Sequence, residues 1–460
     1  MSAVFSREKT LRKKKLLNVF NIFVHSNNIG GIVLVSATIF ALVAANLDSF
    51  YAFRDFWTIN AGISLGSFTI EMSLKNWVND FLMALFFFVV GLEIKREMIA
   101  GELSSLKLAA LPIFAAIGGM IVPALLFHLF NQGTPSENGW GIPMATDIAF
   151  SLGVISLLGR SVPVSLKIFL TALAIVDDIG SIIVLALFYP SHETEGSFLL
   201  MAFGVIVLLL ILNRLKIHSA GFYLIPGIFL WYFVLNSGVH ATIAGVALAM
   251  CIPSSSSINE VRFYVKSKYF LDKFKKAGNS EVNILANSSQ LGIIGKLHSH
   301  IKEINPLINR LEHTINPWIT FSIIPVFALA NAGVVFTDIS WTQGVSPLSA
   351  GIFFGLLFGK PIGIIISSFI ACKLKIAELP DDIRWSHLFS AGIIAGIGFT
   401  MSIFIDSLAF SNSALINEGK AAILVTSFIA AVTGLVALRL ALGKPEKRIK
   451  YKKIREKDLL

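Results

Sequence analysis

The sequence predicts an all-α, polytopic membrane protein, and three observations lead to this fold class. First, 55% of the residues are hydrophobic, 14% are charged and the mean hydropathy is +0.75, values that a soluble protein of 460 residues would rarely show. Second, charge-free apolar runs long enough to cross a bilayer recur along the chain. Third, these runs are continuously apolar and lack a two-residue alternation, which argues against a transmembrane β-barrel.

The apolar runs predict twelve transmembrane helices, at residues 29–47, 78–94, 108–130, 142–158, 168–189, 198–212, 221–236, 239–252, 318–336, 347–372, 387–406 and 421–441. Of the 38 lysines and arginines, only Arg54, Lys75 and Lys420 lie in connections on one side, and Lys360 lies within a span. All the others lie in the termini or in connections on the opposite side. Because cytoplasmic loops are rich in Lys and Arg, both termini are predicted to be cytoplasmic.

The predicted spans divide the chain into five parts, which are a cytoplasmic N-terminal segment (1–28), helices 1–8 (29–252), a long basic cytoplasmic loop (253–316), helices 9–12 (317–441) and a basic cytoplasmic tail (442–460). The net charge of +10 is carried mostly by short loops and termini, so the predicted partner is the lipid bilayer and not nucleic acid. The two cysteines indicate neither a disulfide framework nor a metal site.

Two of the long connections have a pattern of their own. Residues 58–70 alternate apolar and small polar side chains around Gly66 and Ser67, which predicts an extracytoplasmic β-hairpin. Its edges would be able to pair with a second copy of the chain, although an ordinary loop explains the same residues. The loop 253–316 is predicted to be a cytoplasmic insertion that is partly helical around Glu260–Lys276, with a solvated linker that lies on the membrane as the alternative.

Four ionisable residues inside the predicted spans carry the functional hypothesis. Asp147 is the only charge between Glu137 and Arg160, Asp177 and Asp178 are adjacent, and Lys360 is alone in its span. Each such residue costs roughly 2.5–3.5 kcal/mol near the middle of a membrane. A structural protein has little reason to bear this cost, so the residues indicate an ion or proton pathway.

The surroundings of Asp147, Asp177 and Asp178 suggest what they do. Pro143 precedes Asp147 and Thr146 adjoins it, so an interrupted helix is predicted whose freed carbonyls and dipoles help to bind an ion. The alternative is a kinked helix that Asp147 merely caps. Adjacent helical residues point about 100° apart, so one of Asp177 and Asp178 faces an ion cavity while the other meets a partner. Such a pair titrates as a unit, and its oxygens suit Na⁺ or Li⁺; a capped structural pair is the alternative.

Lys360 and the eleventh span complete this pattern. Lys360 is predicted to be a counter-charge to an aspartate or a proton carrier, with snorkelling to the interface as the alternative. The segment Ala391–Thr400 contains three glycines, which indicate an interrupted helix or close helix packing. Spans 3–5 and 10–12 would each then have an interrupted middle helix and enter the membrane in opposite directions. This is the pattern of an inverted repeat whose broken helices 4 and 11 cross at the site.

A second group of charges is predicted to lie towards the cytoplasm, at the entry to the site. It comprises Asp80, Glu93, Arg96 and Glu97 in the second span and Glu312 and His313 before the ninth. Ordinary interfacial charges are the alternative. His240 is interpreted either as a sensor or as a packed interfacial histidine.

Together, six segments of the chain resemble the bacterial NhaA-type sodium/proton antiporters. These segments are Gly91–Glu97, Ala145–Gly153, Ala172–Ile183, Ser237–Gly245, Asn331–Gly333 and Gly359–Gly363. The resemblance implies a twelve-helix fold with crossed, broken fourth and eleventh helices. It also implies electrogenic exchange of two protons for one Na⁺ or Li⁺ across a bacterial inner membrane, in the service of pH homeostasis.

The resemblance also implies roles for individual residues. Asp178 would be the main cation ligand, assisted by Asp177 and Thr146, and Asp177 would pair with Lys360. Asp147 and Lys360 would balance the dipoles at the helix crossing. The family's pH-sensing region maps onto Glu93, Arg96, Glu97, Glu312 and His313, and its dimerising hairpin onto residues 58–70. The chain differs from the family pattern in its longer 253–316 loop and in Asn316, which stands where a histidine is common.

These observations favour a secondary Na⁺(Li⁺)/H⁺ antiporter that works by alternating access, with no enzyme activity and no cofactor besides the transported ions. A channel would need polar residues along a continuous path, whereas here they gather at one depth. An intramembrane aspartyl protease would need a Gly-x-Gly-Asp motif, which the sequence lacks. A proton- or sodium-coupled symporter of a small organic solute remains the nearest alternative.

Overall fold

The computed structural model describes residues 27–47, 51–65, 68–190, 194–278, 287–335 and 345–443. The predicted segments 1–28 and 442–460 therefore lie outside the described residues except at their inner ends. The helices are α1 (Asn27–Asn46), α2 (Tyr51–Phe56), α3 (Leu74–Ala100), α4 (Leu106–Asn131), α5 (Ile148–Ser156), α6 (Val164–Phe188), α7 (Gly196–Arg214), α8 (Gly221–Asn236), α9 (Thr242–Cys251), α10 (Glu260–Ala277), α11 (Ser288–Ile304), α12 (Leu307–Asn331), α13 (Pro347–Lys373), α14 (Trp385–Ala395), α15 (Phe399–Ala409) and α16 (Ser413–Leu442). The strands are β1 (Asn60–Leu65) and β2 (Phe68–Ser73), and a 3₁₀ helix, Glu137–Met144, precedes α5.

Most of these helices are apolar enough to lie in a membrane. Within the described residues, seven are long enough to cross one alone, namely α3, α4, α6, α7, α12, α13 and α16. The pair α14 and α15 passes the same test together, although its two halves are bent by 48°. Three shorter apolar helices, α1, α8 and α9, complete the set. The prediction of a helical, polytopic membrane protein is therefore confirmed.

Helices α4 and α13 pack against each other through glycines, with their backbones in close approach. A Cβ atom added to Gly363 would meet the backbone carbonyl oxygen of Gly118, and one added to Gly359 would lie 2.9 Å from the Cα of Pro123. Lipid provides no hydrophobic force between helices, so close van der Waals packing at small residues supplies much of their cohesion. This contact fixes the position of Lys360, which directly follows Gly359.

The connection after α2 forms an antiparallel hairpin. Strands β1 and β2 pair in a register that places Asn60 opposite Ser73 and Ile63 opposite Ile70. The second strand continues three residues past position 70 and leads directly into α3, where the Ser73 side chain accepts a hydrogen bond from the backbone of Asn76. The hairpin is thus anchored to the start of a membrane helix.

The segment 253–316 contains two helices of its own, α10 and α11, which contact each other where Phe263 stacks on His300. Helix α12 already begins at Leu307, before the predicted boundary of this segment at residue 316. Arg310, Glu312 and His313 interrupt the apolar run there, so hydropathy alone places the start of the helix too late. Glu312 is nevertheless buried, on the face of α12 that packs into the protein.

We expect Gly363→Ala to destabilise the protein by about 1–3 kcal/mol, because the added methyl group forces α4 and α13 apart. The matched control is Gly204→Ala on α7, where nothing lies within 4 Å of the added atom. Thermal unfolding midpoints in detergent measure both variants. A Gly363→Ala protein that melts no lower than the control would show that this helix contact is not tight.

A candidate ion-binding site between two interrupted helices

The first interruption lies between the 3₁₀ helix Glu137–Met144 and α5. Pro143 lies in the last turn of the 3₁₀ helix, and the backbone at Ala145 and Asp147 is extended. Asp147 then becomes the N-cap of α5, where its Oδ1 accepts a hydrogen bond of 2.9 Å from the backbone N–H of Phe150. Aspartate is among the best N-cap residues because its carboxylate satisfies an otherwise unpaired N–H group.

The second interruption lies between Ala395, where α14 ends, and Phe399, where α15 begins. Gly396 packs against the backbone of α13, since a Cβ there would meet the carbonyl oxygen of Leu356. The chain turns so sharply that Phe399 has a φ angle of 27°. The backbone N–H of Phe399 donates to the Ser427 hydroxyl at 3.1 Å. A glycine-rich sequence is required here because a side chain would block this approach.

The two interruptions meet and satisfy each other's backbone groups. The N–H of Asp147 donates to the carbonyl of Ile397 at 2.8 Å, and the Thr146 hydroxyl donates to the carbonyl of Ala395 at 3.0 Å. Asp147 Oδ2 accepts from the Thr400 hydroxyl at 2.5 Å and from the Thr400 N–H at 3.3 Å. One carboxylate therefore caps the N-termini of both α5 and α15, whose dipoles favour negative charge.

Lys360 and Asp177 form a buried ion pair beside this crossing. Lys360 Nζ lies 2.8 Å from Asp177 Oδ2, and both side chains are almost fully inaccessible to solvent. The ammonium group also donates to the carbonyl of Met144, at the C-terminal end of the 3₁₀ helix. A π-helical turn, Gly355–Gly359, immediately precedes Lys360, as is common where a helix carries a functional residue.

Asp178 faces a different environment from its neighbour Asp177. It is 1% exposed, and its Oδ1 accepts no hydrogen bond from any residue that the structure describes. It lines a cavity of about 130 Å³ together with Glu93, Thr146, Asp147 and Thr400, which lie on other segments. This enclosure brings carboxylate and hydroxyl oxygens to one place, and such oxygens are the donors that hard cations prefer.

The predicted cytoplasmic group is assembled only in part. Arg96 on α3 forms ion pairs with Glu312 on α12 at 2.7 Å and with Glu97 at 3.0 Å. The ion pair with Glu312 links the two helices. Glu93 lies one turn before Glu97 on α3 and also lines the Asp178 cavity. His313 is exposed and lies next to Glu312 on α12. We call this group of Glu93, Arg96, Glu97, Glu312 and His313 the charged mouth.

The structure separates Asp80 from that group, and His240, interpreted as a sensor or a packed histidine, also lies apart from it. Asp80 precedes Glu93 by thirteen residues on the same helix, about 20 Å along the axis, and so lies at the opposite end of α3. Its backbone carbonyl accepts a hydrogen bond from Trp231. His240 is buried and stacks on Phe404 of α15, with ring centroids 6.1 Å apart.

The sequence does not reveal the partners of Thr400 and Asn331 or the burial of Asp406. Thr400 lies in the glycine-rich segment, but the partner of its hydroxyl is 253 residues away. Asn331 donates to the side chain of Asn79 at 2.7 Å, which joins α12 to α3. Asp406 on α15 is fully buried. A polar residue in an apolar span was the available signal for each of them.

Comparison with known proteins identifies the family. The family model described as Na⁺/H⁺ antiporter 1 matches residues 21–438. Relatives named Na⁺/H⁺ antiporter NhaA are 44% identical in Oleidesulfovibrio alaskensis, over 94% of this chain and 96% of the relative, and 45% identical in Acidithiobacillus ferrooxidans, over 92% and 97%. The relative from Helicobacter pylori is 44% identical over 90% and 94%. The chain therefore belongs to the NhaA family of Na⁺/H⁺ antiporters.

Proposed function

We propose that this protein exchanges protons for Na⁺ or Li⁺ by alternating access, with Asp178 as the main cation ligand. The observation that carries the proposal is the Asp178 carboxylate, buried beside a cavity that also reaches Asp147 and Thr146. A buried carboxylate without a fixed hydrogen-bond donor is costly, and either a proton or a metal ion relieves that cost. The two cannot bind to the same oxygens together, and this competition couples their movements.

The Lys360–Asp177 pair is proposed to provide the second proton of an electrogenic exchange, two protons for one cation. Asp177 adjoins the cation ligand, and Lys360 is its partner at 2.8 Å. Binding of a cation at Asp178 and Asp177 would weaken the hold of Asp177 on the Lys360 ammonium. Lys360 would then release a proton, while Asp147 keeps the two helix N-termini balanced.

The cavity favours a small ion over an organic solute. Its volume is about 130 Å³, whereas sites for organic ligands usually measure about 300–1,000 Å³. A sodium-coupled symporter of a small organic molecule would need a larger enclosure. The size of the cavity therefore supports the antiporter over this alternative.

For the membrane arrangement, we propose twelve spans with both termini in the cytoplasm of a bacterial inner membrane. The 3₁₀ helix with α5 would be the fourth span, and α14 with α15 the eleventh, in an inverted repeat of spans 3–5 and 10–12. The meeting of the two interruptions, through Asp147 and Ile397, supports this arrangement. The distribution of Lys and Arg supports the orientation.

Regulation by pH is proposed to act at the charged mouth. Arg96 joins Glu97 and Glu312 there, and Glu93 connects the mouth with the Asp178 cavity. Protonation of these carboxylates would loosen the contact between α3 and α12 and so change access to the cavity.

Dimerisation through β1 and β2 is a further proposal, supported by a hairpin of only two strands, each with one edge open to a second copy.

We expect Asp178→Asn to reduce Na⁺-dependent proton flux in everted membrane vesicles to background, because an amide neither exchanges a proton nor carries the charge that binds Na⁺. The control is Glu195→Gln, which neutralises an exposed acid and should leave the flux unchanged. Persistence of exchange in the Asp178→Asn protein, once correct folding has been checked by size-exclusion chromatography, would refute the proposed role of Asp178.

We also expect Lys360→Met to destabilise the protein by about 3–5 kcal/mol, since it leaves the buried Asp177 carboxylate without its partner. The double variant Lys360→Met, Asp177→Asn removes both charges and should recover a large part of this loss. Thermal unfolding in detergent measures the three proteins. If the double variant is no more stable than Lys360→Met alone, the two side chains are not coupled as the ion pair indicates.

A further inference from the structure

A second buried acid lies on α15, away from the site described above. Asp406 is fully buried, and neither of its carboxylate oxygens accepts a hydrogen bond from any residue that the structure describes. It follows Thr400 by six residues on the same helix, about 9 Å along the axis. It also lies three residues before α15 ends at Ala409. The acid is therefore near the end of the bundle from which α16 starts.

The charges around Asp406 come from two other helices. Lys420 on α16 is 3% exposed, and it acts on Asp406 electrostatically together with Lys75 of α3. Glu418 on α16 is the remaining charged group that acts on Asp406. Its carboxylate already accepts hydrogen bonds from the hydroxyls of Ser346 and Ser349 at the start of α13. The two lysines are thus the cations that face Asp406.

The backbone of α16 lies directly against the carboxylate. A Cβ atom added to Gly419 would lie 2.8 Å from Cγ and 3.1 Å from Oδ2 of Asp406. Among the described residues, Asp406 forms no ion pair with Lys420 or Lys75 close enough for a hydrogen bond. An ionised carboxylate in this position lacks direct donors, and binding a proton removes the cost of its charge. The nearby lysines disfavour a metal cation at the same oxygens.

We propose that Asp406, balanced by Lys420, is a further proton-binding site of this protein, reached from the end of the bundle that carries Lys75 and Lys420. The proton binds to a carboxylate oxygen and leaves from it, and no other bond forms or breaks. When the proton is absent, the Lys420 ammonium group balances the carboxylate. This inference rests on the proposed antiport, in which that end of the bundle is extracytoplasmic and is the side from which protons arrive.

The inference predicts that transport responds to pH on that side through Asp406. Lowering the pH outside protonates the Asp406 carboxylate and so supplies more protons for transport. Raising the pH removes the proton from Asp406. The charged groups that act on Asp406 are Lys420, Lys75 and Glu418. Together they set the pH at which Asp406 binds its proton.

The first test is a potentiometric titration of purified protein in detergent. The Asp406→Asn protein should take up one proton per molecule fewer than the wild type between alkaline and acidic pH. The matched control is Glu71→Gln, an exposed acid at the same end of the molecule. An Asp406→Asn protein whose titration curve coincides with that of the wild type would overturn the inference.

The second test measures Na⁺-dependent proton flux in proteoliposomes with the inner pH held constant and the outer pH varied. Asp406→Asn should keep exchange activity but lose most of its dependence on outer pH. The double variant Asp406→Asn, Lys420→Met separates proton binding from charge balance. If it regains the wild-type pH profile, Asp406 serves only to neutralise Lys420, and the inference is wrong.

If Asp406→Asn does not fold, Lys420→Met takes its place. Without the ammonium group the carboxylate should hold its proton to higher pH, so an unchanged titration curve for that variant would count against the site.

Two outcomes keep the inference distinct from the proposed function. If Asp178→Asn retains exchange, the proposed function fails. If Asp178→Asn loses exchange while Asp406→Asn matches the wild type in both tests, only the present inference fails.

Discussion

The Asp147 carboxylate is the interaction on which the rest of the structure depends, because it allows two broken helices to exist inside a membrane. Each break releases backbone N–H and carbonyl groups, and an unsatisfied group in hydrocarbon costs several kcal/mol. Here the groups released at one break bind those at the other, through Asp147, Thr146 and Ile397. Neither interruption would be stable alone. The carboxylate also compensates the positive ends of two helices at once, α5 and α15.

This mutual dependence has a mechanical consequence. A shift of α5 that separates Asp147 from Thr400 leaves a buried carboxylate and two helix N-termini uncompensated, so α15 must follow. Lys360 extends the same coupling to α13 and α6, because it binds the Met144 carbonyl and Asp177 together. Four segments that are distant in sequence thus respond to a change of charge at one place. Such coupling between distant segments is what a carrier needs if occupancy by an ion or a proton is to select its conformation.

The sequence predicts the class of fold and several residues that meet at the candidate site, and it fails where long-range geometry decides. Pro143 and the glycines of Ala391–Thr400 are local signals, and breaks occur at both. The hydrogen bond from the Thr400 hydroxyl to Asp147 cannot be predicted from a local sequence pattern, because the two residues are 253 positions apart. The early start of α12 at Leu307 was missed because Arg310, Glu312 and His313 interrupt the apolar run there, although Glu312 is buried on the face that packs into the protein.

The contrast between Asp177 and Asp178 shows how two identical, adjacent side chains acquire different chemistry. Successive helical positions diverge by about 100°, so Asp177 reaches Lys360 while Asp178 faces the cavity shared with Glu93. The ion pair fixes one acid in place, and the other keeps an oxygen without a donor among the described residues. If both acids were paired, no ligand would gain by binding. If neither were, two adjacent charges would repel each other in a medium that screens them poorly. One fixed and one available carboxylate is therefore the arrangement that the proposed competition between a small cation and a proton requires.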